Sequence, residues 1–355
     1  MQTQLAKYLL KIRKQGGKMN IKKISFSVVT TSLILCSVLV FMAGCAIGNN
    51  GAGNPPSNDI EISNLANAWV FLDEDEPAGT NYNTTGSCYQ RLITEGVYKS
   101  VDMLFICFVT TVQTSSTTVP TGNGSSYTIQ IKEAGHPGGL TNQDYMNYVI
   151  NDARSANPDI IIVVTLNYQP KDLISQIFTS SDYEANAAQF ADNLMAYLKY
   201  YNLDGFDIDW ESPLSSWTTQ EQFKYLIQAI GDRFRQEKQH TGKKYYLTIS
   251  PAVADNLDAD AINNNVDFLN LQLYSGFTYP YQFTGAGINQ NLLAYGAKFE
   301  ALYAGGPEDQ GYEDAKHAYN TGTGLGYTIF TNWRLNSTNY VFEQNQQQIL
   351  YNLVH

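Results

Sequence analysis

Four acidic residues stand close together where the sequence reads Asp204-Gly-Phe-Asp207-Ile-Asp209-Trp-Glu211. Side chains alternate between the two faces of a β-strand, so Asp207, Asp209 and Glu211 share one face and apolar residues share the other. Carboxylates buried together cannot all ionise, so they must share protons and at least one pKa must rise. This arrangement favours general acid catalysis, with Glu211 at the strand's end as the acid. A solvated edge strand with alternating charges is the structural alternative.

The rest of the chain must supply a fold that holds these carboxylates inside. Strands are predicted at 69–73, 102–109, 159–166, 204–210, 245–250, 266–274 and 325–331, with an eighth near 299–303. Several are apolar on both faces, as in a parallel sheet covered by helices, and amphipathic patterns between them predict helices. Eight such units indicate an α/β fold, a single-domain (β/α)8 TIM barrel over 63–355. A doubly wound sheet is the alternative, but no Gly-rich phosphate loop follows the first strand.

A long Thr-, Ser- and Gly-rich segment at 112–139 follows the second predicted strand. We interpret it as a βα loop with a small hairpin at 127–132. In a (β/α)8 barrel such loops lie over the catalytic face.

The first 44 residues predict a secretory signal rather than part of the fold. They carry seven basic residues and no acid, and an apolar run at 24–41 follows the basic stretch. Small residues then directly precede Cys45, which resembles a bacterial lipoprotein signal. We expect 1–44 to be cleaved, Cys45 to be lipidated, and 45–62 to form a flexible tether. This predicts a lipid-anchored protein of the bacterial cell envelope, at the outer membrane, and a retained membrane span is the alternative.

Composition narrows the function classes. The chain has 355 residues and a formal net charge of -11, which argues against a nucleic-acid binder because no excess of basic residues is available to meet phosphates. Aromatic residues reach 13%, with 25 Tyr, and a flat ring with a polar tip suits sugar-like ligands. Of the cysteines beyond Cys45, Cys88 and Cys107 are expected to be two buried thiols, although a disulfide is possible. Neither has metal-site spacing, so we predict no metal.

The segment 204–211 matches in full the signature of the family 18 glycoside hydrolases. This resemblance implies hydrolysis of β-1,4 bonds next to N-acetylglucosamine, without a cofactor. The substrate's own 2-acetamido group is then the nucleophile and forms an oxazolinium intermediate. In that scheme Glu211 protonates the glycosidic oxygen, Asp209 orients the acetamide N–H, and Asp207 holds Asp209. Asp204 has the wrong parity for this face and is expected to be structural.

A second match within the family concerns Gln272 and Tyr274. These residues are two positions apart, so on a strand their side chains would lie on the same face. The resemblance assigns Tyr274 a hydrogen bond to the acetamide carbonyl. Chitinases usually have Met at the Gln272 position and Asp directly after the Tyr, where this chain has Ser275. A Gln-x-Tyr pair resembles the endo-β-N-acetylglucosaminidase branch, which cuts the chitobiose core of N-glycans. A chitinase or chitooligosaccharide hydrolase is the alternative, and a non-catalytic glycan-binding lipoprotein, which in this family typically lacks the acid at the Glu211 position, is a further one.

Further substrate contacts are expected from residues that end other predicted strands. By resemblance, Trp333 forms the floor beneath the sugar at the cleavage point. Asn167 and Tyr168 end the third strand and are expected to bind substrate. The predicted partners are therefore an N-glycan or another glycan that contains N-acetylglucosamine, and the membrane through Cys45. We expect a monomer.

Overall fold

A computed structural model of the protein describes residues 62–73, 80–122, 126–299 and 314–355. The predicted signal, Cys45 and almost all of the predicted tether lie outside these residues and stay predictions. In the part of the chain that the structure describes, no helix combines the length and the apolar character needed to cross a membrane.

Eight parallel strands form a closed barrel, and a ninth strand lies at its edge. The strands are β1 (Leu65–Phe71), β2 (Met103–Gln113), β3 (Tyr127–Ile131), β4 (Ile161–Leu166), β5 (Gly205–Trp210), β6 (Tyr246–Pro251), β7 (Phe268–Leu271), β8 (Leu293–Ala297) and β9 (Ile329–Asn332). The barrel closes because β1 pairs in parallel with both β2 and β9. Strand β3 pairs antiparallel with β2. The predicted (β/α)8 barrel is confirmed.

Helices follow the barrel strands in chain order. They are α1 (Cys88–Thr94), α2 (Asn142–Ala156), α3 (Tyr183–Tyr200), α4 (Leu214–Trp217), α5 (Gln220–Thr241), α6 (Ala259–Asn265), α7 (Pro280–Gly285), α8 (Ala315–Gly324) and α9 (Tyr340–Val354). The longest, α5, begins with a capping box in which Thr219 and Gln222 satisfy each other's backbone N–H. It ends at Gly242, whose φ of 79° is the left-handed conformation that glycine adopts without steric cost.

The hydrophobic core has two layers, separated by the strands. Inside the barrel, rings such as Trp69, Phe105 and Phe268 pack together. Outside it, Phe206 and Ile208 of β5 pack in the layer that includes the helices. Alternation along β5 therefore leaves the side chains of its aspartates pointing into the barrel. Cys88 and Cys107 are both buried thiols, as predicted.

An aspartate directly precedes three of the barrel strands and fixes their register at the amino-terminal end of the barrel. The carboxylates of Asp102, Asp204 and Asp267 accept the backbone N–H groups of Ala66, Ile162 and Leu247, respectively, at 2.7–2.9 Å. Asp204 also forms ion pairs with Arg154 at 2.8 Å and Lys243 at 2.9 Å. The prediction that Asp204 is structural agrees with these contacts.

The strand predicted near 299–303 lies almost entirely outside the described residues. The barrel strand that the structure shows in this part of the chain is β8, which the sequence analysis did not predict. Its sequence, Leu-Ala-Tyr-Gly-Ala, has few of the β-branched residues that predict strands. The glycine is needed for close approach, since a Cβ at Gly296 would lie 2.2 Å from the carbonyl oxygen of Leu271.

Three other boundaries also differ from the predictions. The predicted strand 266–274 ends at Leu271, and the predicted strand 325–331 begins only at Ile329, after an exposed Leu325. The segment 127–132 is not a separate hairpin, because β3 extends the barrel sheet beside a longer β2. The β2–β3 ribbon extends past the carboxyl end of β2 and packs against helix α3, where Asn193 Nδ2 donates to the carbonyl oxygen of Tyr127 at 2.9 Å.

Replacement of Asp204 by Ala should destabilise the fold by about 2–4 kcal/mol, because it leaves the buried N–H group of Ile162 without its acceptor and removes the counter-charge of Arg154 and Lys243. Urea unfolding measures this free energy. Asp232→Ala is the control, since Asp232 forms an exposed pair with Arg235 and should change stability by less than about 1 kcal/mol. Equal effects of the two substitutions would contradict the role given to Asp204.

Candidate active site

The predicted row of carboxylates lies inside the barrel and rises to its mouth. Asp207 and Asp209 are fully buried, and Glu211 follows β5 in a partly exposed position. The position of Gly205 in the motif requires a residue without a side chain. A Cβ at Gly205 would lie 2.4 Å from the carbonyl oxygen of Tyr246, so glycine allows β5 to approach β6.

Asp207 is held by hydroxyl groups of the neighbouring strand β6. Its Oδ1 accepts a hydrogen bond from Thr248 Oγ1 at 2.7 Å, and Ser250 Oγ lies 3.0–3.1 Å from both carboxylate oxygens. Burial raises the pKa of Asp207 to about 6, and the hydroxyl hydrogen bonds lower it only in part. Sequence reasoning missed Thr248 and Ser250, although both stand at the parity of strand β6 that pairs with Asp207 and Asp209.

Asp209 lies between the other two carboxyl groups. Burial raises the pKa of Asp209 well above its ordinary value, and the charges of Glu211 and Asp207 and a hydrogen bond with Glu211 raise it further. Its Oδ2 atom meets no N–H or hydroxyl donor in the described part of the chain. A hydrogen bond between two carboxyl groups requires a proton on one of them. The Asp209–Glu211 pair is therefore built to hold a proton.

Gln272 connects the two carboxyl groups of this pair. Its Nε2 atom donates to Asp209 Oδ1 at 3.0 Å and to Glu211 Oε1 at 2.9 Å, and it lies 3.0 Å from the carbonyl oxygen of Ser250. Its Oε1 accepts the hydroxyl of Tyr274 at 3.2 Å. The orientation of the amide follows from these partners, since carboxylates and carbonyls accept and a hydroxyl can donate. Gln272 thus fixes the relative position of Asp209 and Glu211.

The structure brings Gln272 and Tyr274 together by a turn and not by strand parity. Strand β7 ends at Leu271, and a 3-10 turn spans Leu273–Ser275. Gly276, with a φ of 80°, ends this turn. The two side chains therefore lie together, but the continuous strand to Tyr274 on which the prediction rested is wrong, and their role in binding substrate stays a prediction.

Trp333 forms one wall of a cleft beside Gln272 and Tyr274. Its ring lies 4.8 Å from Trp69, 5.3 Å from Phe71 and 5.3 Å from Tyr274, between centroids. The cleft is lined by Trp69, Ser250, Asn270, Leu271, Gln272, Tyr274, Gly296, Thr331 and Trp333. The enclosed part of this cleft is only about 10 Å³, so the feature that suits a sugar ring is the aromatic wall beside polar groups at its open mouth.

The two residues predicted after the third strand differ in their placement. Burial raises the pKa of Tyr168. Tyr168 also lies close enough to Glu211 and Asp209 for their charges to raise this pKa further. Asn167 is buried, and its Oδ1 accepts the N–H of Gln169 at 3.1 Å, which shapes its own loop. Lys132, which the sequence analysis missed, lowers the pKa of Tyr168 and pairs with Asp73 at 2.7 Å.

A (β/α)8 barrel with buried carboxylates leading to one acid at its mouth defines a class, the barrel glycoside hydrolases. The family described as glycosyl hydrolases family 18 matches residues 80–310. The chain belongs to this family.

Three relatives illustrate the match. Chitotriosidase-1 of Mus musculus is 25% identical over 145 residues, which are 38% of this chain and 30% of that protein. The class V chitinase structure from Nicotiana tobaccum covers 80% of this chain and 98% of its own, at 14% identity and a TM-score of 0.56. A family 18 N-acetylglucosaminidase structure from Paenibacillus barengoltzii covers 81% and 99%, at 14% identity and a TM-score of 0.55.

The sequence matches and the structural matches support different conclusions. The matched region spans less than a third of the curated relatives' own length. The structural matches, at such low identity, establish the fold.

The pH dependence of stability should reflect the buried Asp207. Its pKa is raised from 3.8 to about 6, so the folded chain binds more protons than the unfolded chain between these values. Its stabilising contribution is full below about pH 3.8 and is lost as the pH rises through about 6. From pH 4 to pH 8 the wild type should lose on the order of 2–3 kcal/mol more stability than Asp207→Asn. Urea unfolding at both pH values measures this loss, and parallel losses in the two proteins would refute it.

Proposed function

We propose that this chain is a retaining glycoside hydrolase that cleaves β-1,4 bonds next to N-acetylglucosamine by substrate-assisted catalysis. The observation that carries the proposal is the position of the carboxyl groups. Glu211 stands at the mouth of the barrel, while Asp207 and Asp209 are buried and bound by Thr248, Ser250 and Gln272. Two carboxylates held in this way are poorly placed to attack the sugar, so the nucleophile must come from elsewhere. The acetamide of the substrate supplies it.

The proposed reaction has two steps, formation of an oxazolinium ion and its hydrolysis. The carboxyl group of Glu211 gives its proton to the glycosidic oxygen, and the bond between this oxygen and the anomeric carbon breaks. The acetamide oxygen forms a new bond to the anomeric carbon, which gives a cyclic oxazolinium ion. Water then attacks the same carbon and opens the ring, and its proton returns to the Glu211 carboxylate. Two displacements at one carbon retain its configuration.

The contacts in the structure support the roles proposed for the other residues. Asp209, between Asp207 and Glu211, can share a proton with Glu211 and can face the acetamide N–H when the substrate displaces that contact. Asp207 precedes Asp209 on the inner face of β5. Hydroxyl groups of β6 donate hydrogen bonds to the Asp207 carboxylate. Tyr274 directs its hydroxyl toward the Gln272 amide, beside the cleft, where an acetamide carbonyl could accept it.

Within this reaction class we propose an endo-β-N-acetylglucosaminidase that acts on the chitobiose core of N-glycans. The Gln-x-Tyr pair and Ser275 support this proposal, because chitinases usually have Met and Asp at the corresponding positions. Gln272 is also integrated in the site, since it contacts both Asp209 and Glu211. A thioether could not replace these hydrogen bonds.

A chitinase is the second candidate, and the names of the relatives favour it at least as strongly. The curated relatives include chitotriosidase-1 of Mus musculus, and the tobacco structure is a class V chitinase. A non-catalytic glycan-binding protein is the third candidate, against which the presence of Glu211 argues.

Mass spectrometry of products separates the two hydrolase candidates. Incubation with a high-mannose glycoprotein should leave a single N-acetylglucosamine on asparagine. Incubation with N-acetylglucosamine oligosaccharides should give slower but still measurable cleavage under the same conditions. Cleavage of the oligosaccharides alone would reject the endo-β-N-acetylglucosaminidase and leave the chitinase.

Glu211→Gln should lower kcat by at least about 10³-fold, because the amide has no acid proton to give. Glycan affinity, measured by calorimetry, should be largely retained, since the side chain keeps its size. Glu221→Gln is the matched control, because Glu221 is exposed in the first turn of α5. Unchanged turnover by Glu211→Gln would overturn the assignment of the acid.

A further inference from the structure

Three exposed aromatic residues stand within five positions of the loop that follows β7. Phe277 is 55% exposed, Tyr279 is 45% exposed and Tyr281 is 68% exposed. Single exposed apolar residues are common on protein surfaces, but a local group of large rings marks a binding surface. This group begins three residues after Tyr274, at the same end of the barrel as the carboxyl groups.

The rings of Tyr279 and Tyr281 are nearly parallel. Their centroids lie 5.5 Å apart, and the angle between their planes is 12°. Tyr279 is also fixed at its tip, because its hydroxyl donates to the carbonyl oxygen of Gly276 at 3.0 Å. Pro280 begins helix α7 between the two rings and restricts the backbone there. The two rings therefore stack on each other with an offset, and both side chains remain exposed.

Hydrogen bonds from Ser275 give this loop a defined shape. Ser275 Oγ accepts the N–H groups of Phe277 at 3.3 Å and Thr278 at 3.1 Å, and it lies 2.7 Å from Thr278 Oγ1. Thr278 Oγ1 in turn donates to the carbonyl oxygen of Ala252, directly after β6, at 2.7 Å. The loop is therefore tied to the barrel by Thr278, and Ser275, which directly follows Tyr274, holds Thr278 in place. A surface ordered before binding loses less conformational entropy when its ligand arrives.

We infer that Phe277, Tyr279 and Tyr281 form a platform for sugar rings of the substrate that lie beyond the two sugars flanking the cleaved bond. This inference rests on the proposed function, because it requires a glycan in the cleft between Gln272 and Trp333. A pyranose ring has an apolar face of C–H groups and a rim of hydroxyls, which fits a tyrosine ring with its polar tip. The loop that carries these rings follows Tyr274, which lines the cleft, with only Ser275 and Gly276 between Tyr274 and Phe277. Ser275 is the positioning residue that presents the rings.

The test compares a short substrate with long ones. The short substrate is an aryl glycoside of a β-1,4-linked di-N-acetylglucosamine, and the long ones are a penta-N-acetylglucosamine and a high-mannose glycopeptide. Tyr281→Ala should lower the ratio of kcat/KM for a long substrate to that for the short one on the order of tenfold, mainly through KM. Tyr200→Ala is the matched control, since Tyr200 is 60% exposed at the end of α3, away from this loop, and should keep the ratio.

The outcomes separate this inference from the proposed function. If the wild-type chain cleaves none of the substrates, the proposed function fails and the platform fails with it. If the wild type cleaves them and Tyr281→Ala keeps the wild-type ratio for both long substrates, the platform alone is rejected. Calorimetry in a Glu211→Gln background checks the same point without turnover, and Tyr281→Ala should there weaken long-glycan affinity on the order of tenfold.

A second variant tests the positioning role of Ser275. Ser275→Ala should lower the long-to-short ratio in the same direction as Tyr281→Ala, because the two N–H groups lose their acceptor. Ser275→Thr keeps the hydroxyl and should restore the ratio. An Ala variant with the wild-type ratio, or a Thr variant that fails to restore it, would exclude Ser275 from the positioning of the rings.

Discussion

The site depends on the burial of carboxyl groups that cannot all be charged. Asp207 and Asp209 have no solvent exposure, and burial raises the pKa of both. Ionised carboxylates are tolerated in such a place only where donors meet them or protons neutralise them. Both solutions apply here, since hydroxyls of β6 meet Asp207 and the raised pKa of Asp209 favours its neutral form. The proposed chemistry uses a proton at the end of this row, on Glu211.

The closed barrel gives these groups their positions from three neighbouring strands. β5 carries the carboxyl groups, β6 carries Thr248 and Ser250, and the turn after β7 carries Gln272 and Tyr274. Because each strand is paired on both sides, a shift of one would move every contact in the row. The aspartates at the opposite end of the barrel hold this register, with Asp204 directly before β5. The same short segment of chain therefore contributes both to the register and to the chemistry.

The sequence predicted the barrel and the carboxylate face because period-two alternation and apolar strands are local properties. Asp207, Asp209 and Glu211 lie where parity placed them. Strand β8 was missed because Gly296 is required by a contact with Leu271, which is distant in the sequence. The bridge that Gln272 makes between Asp209 and Glu211 is likewise non-local, since it depends on a turn that the strand pattern does not reveal. The Gln272–Tyr274 pair was predicted from the family resemblance. The added argument, that both side chains lie on one face of a continuous strand, was incorrect.

The central claim is that these carboxyl groups support a hydrolysis in which the substrate's acetamide attacks the anomeric carbon. Proton NMR of the reducing end formed in the first minutes of a reaction with a cleaved glycan tests this claim directly, before the sugar equilibrates in water. The account predicts the β-anomer as the first product, because two displacements retain the configuration. An α-anomer as the first product would mean direct attack by water and would contradict the account.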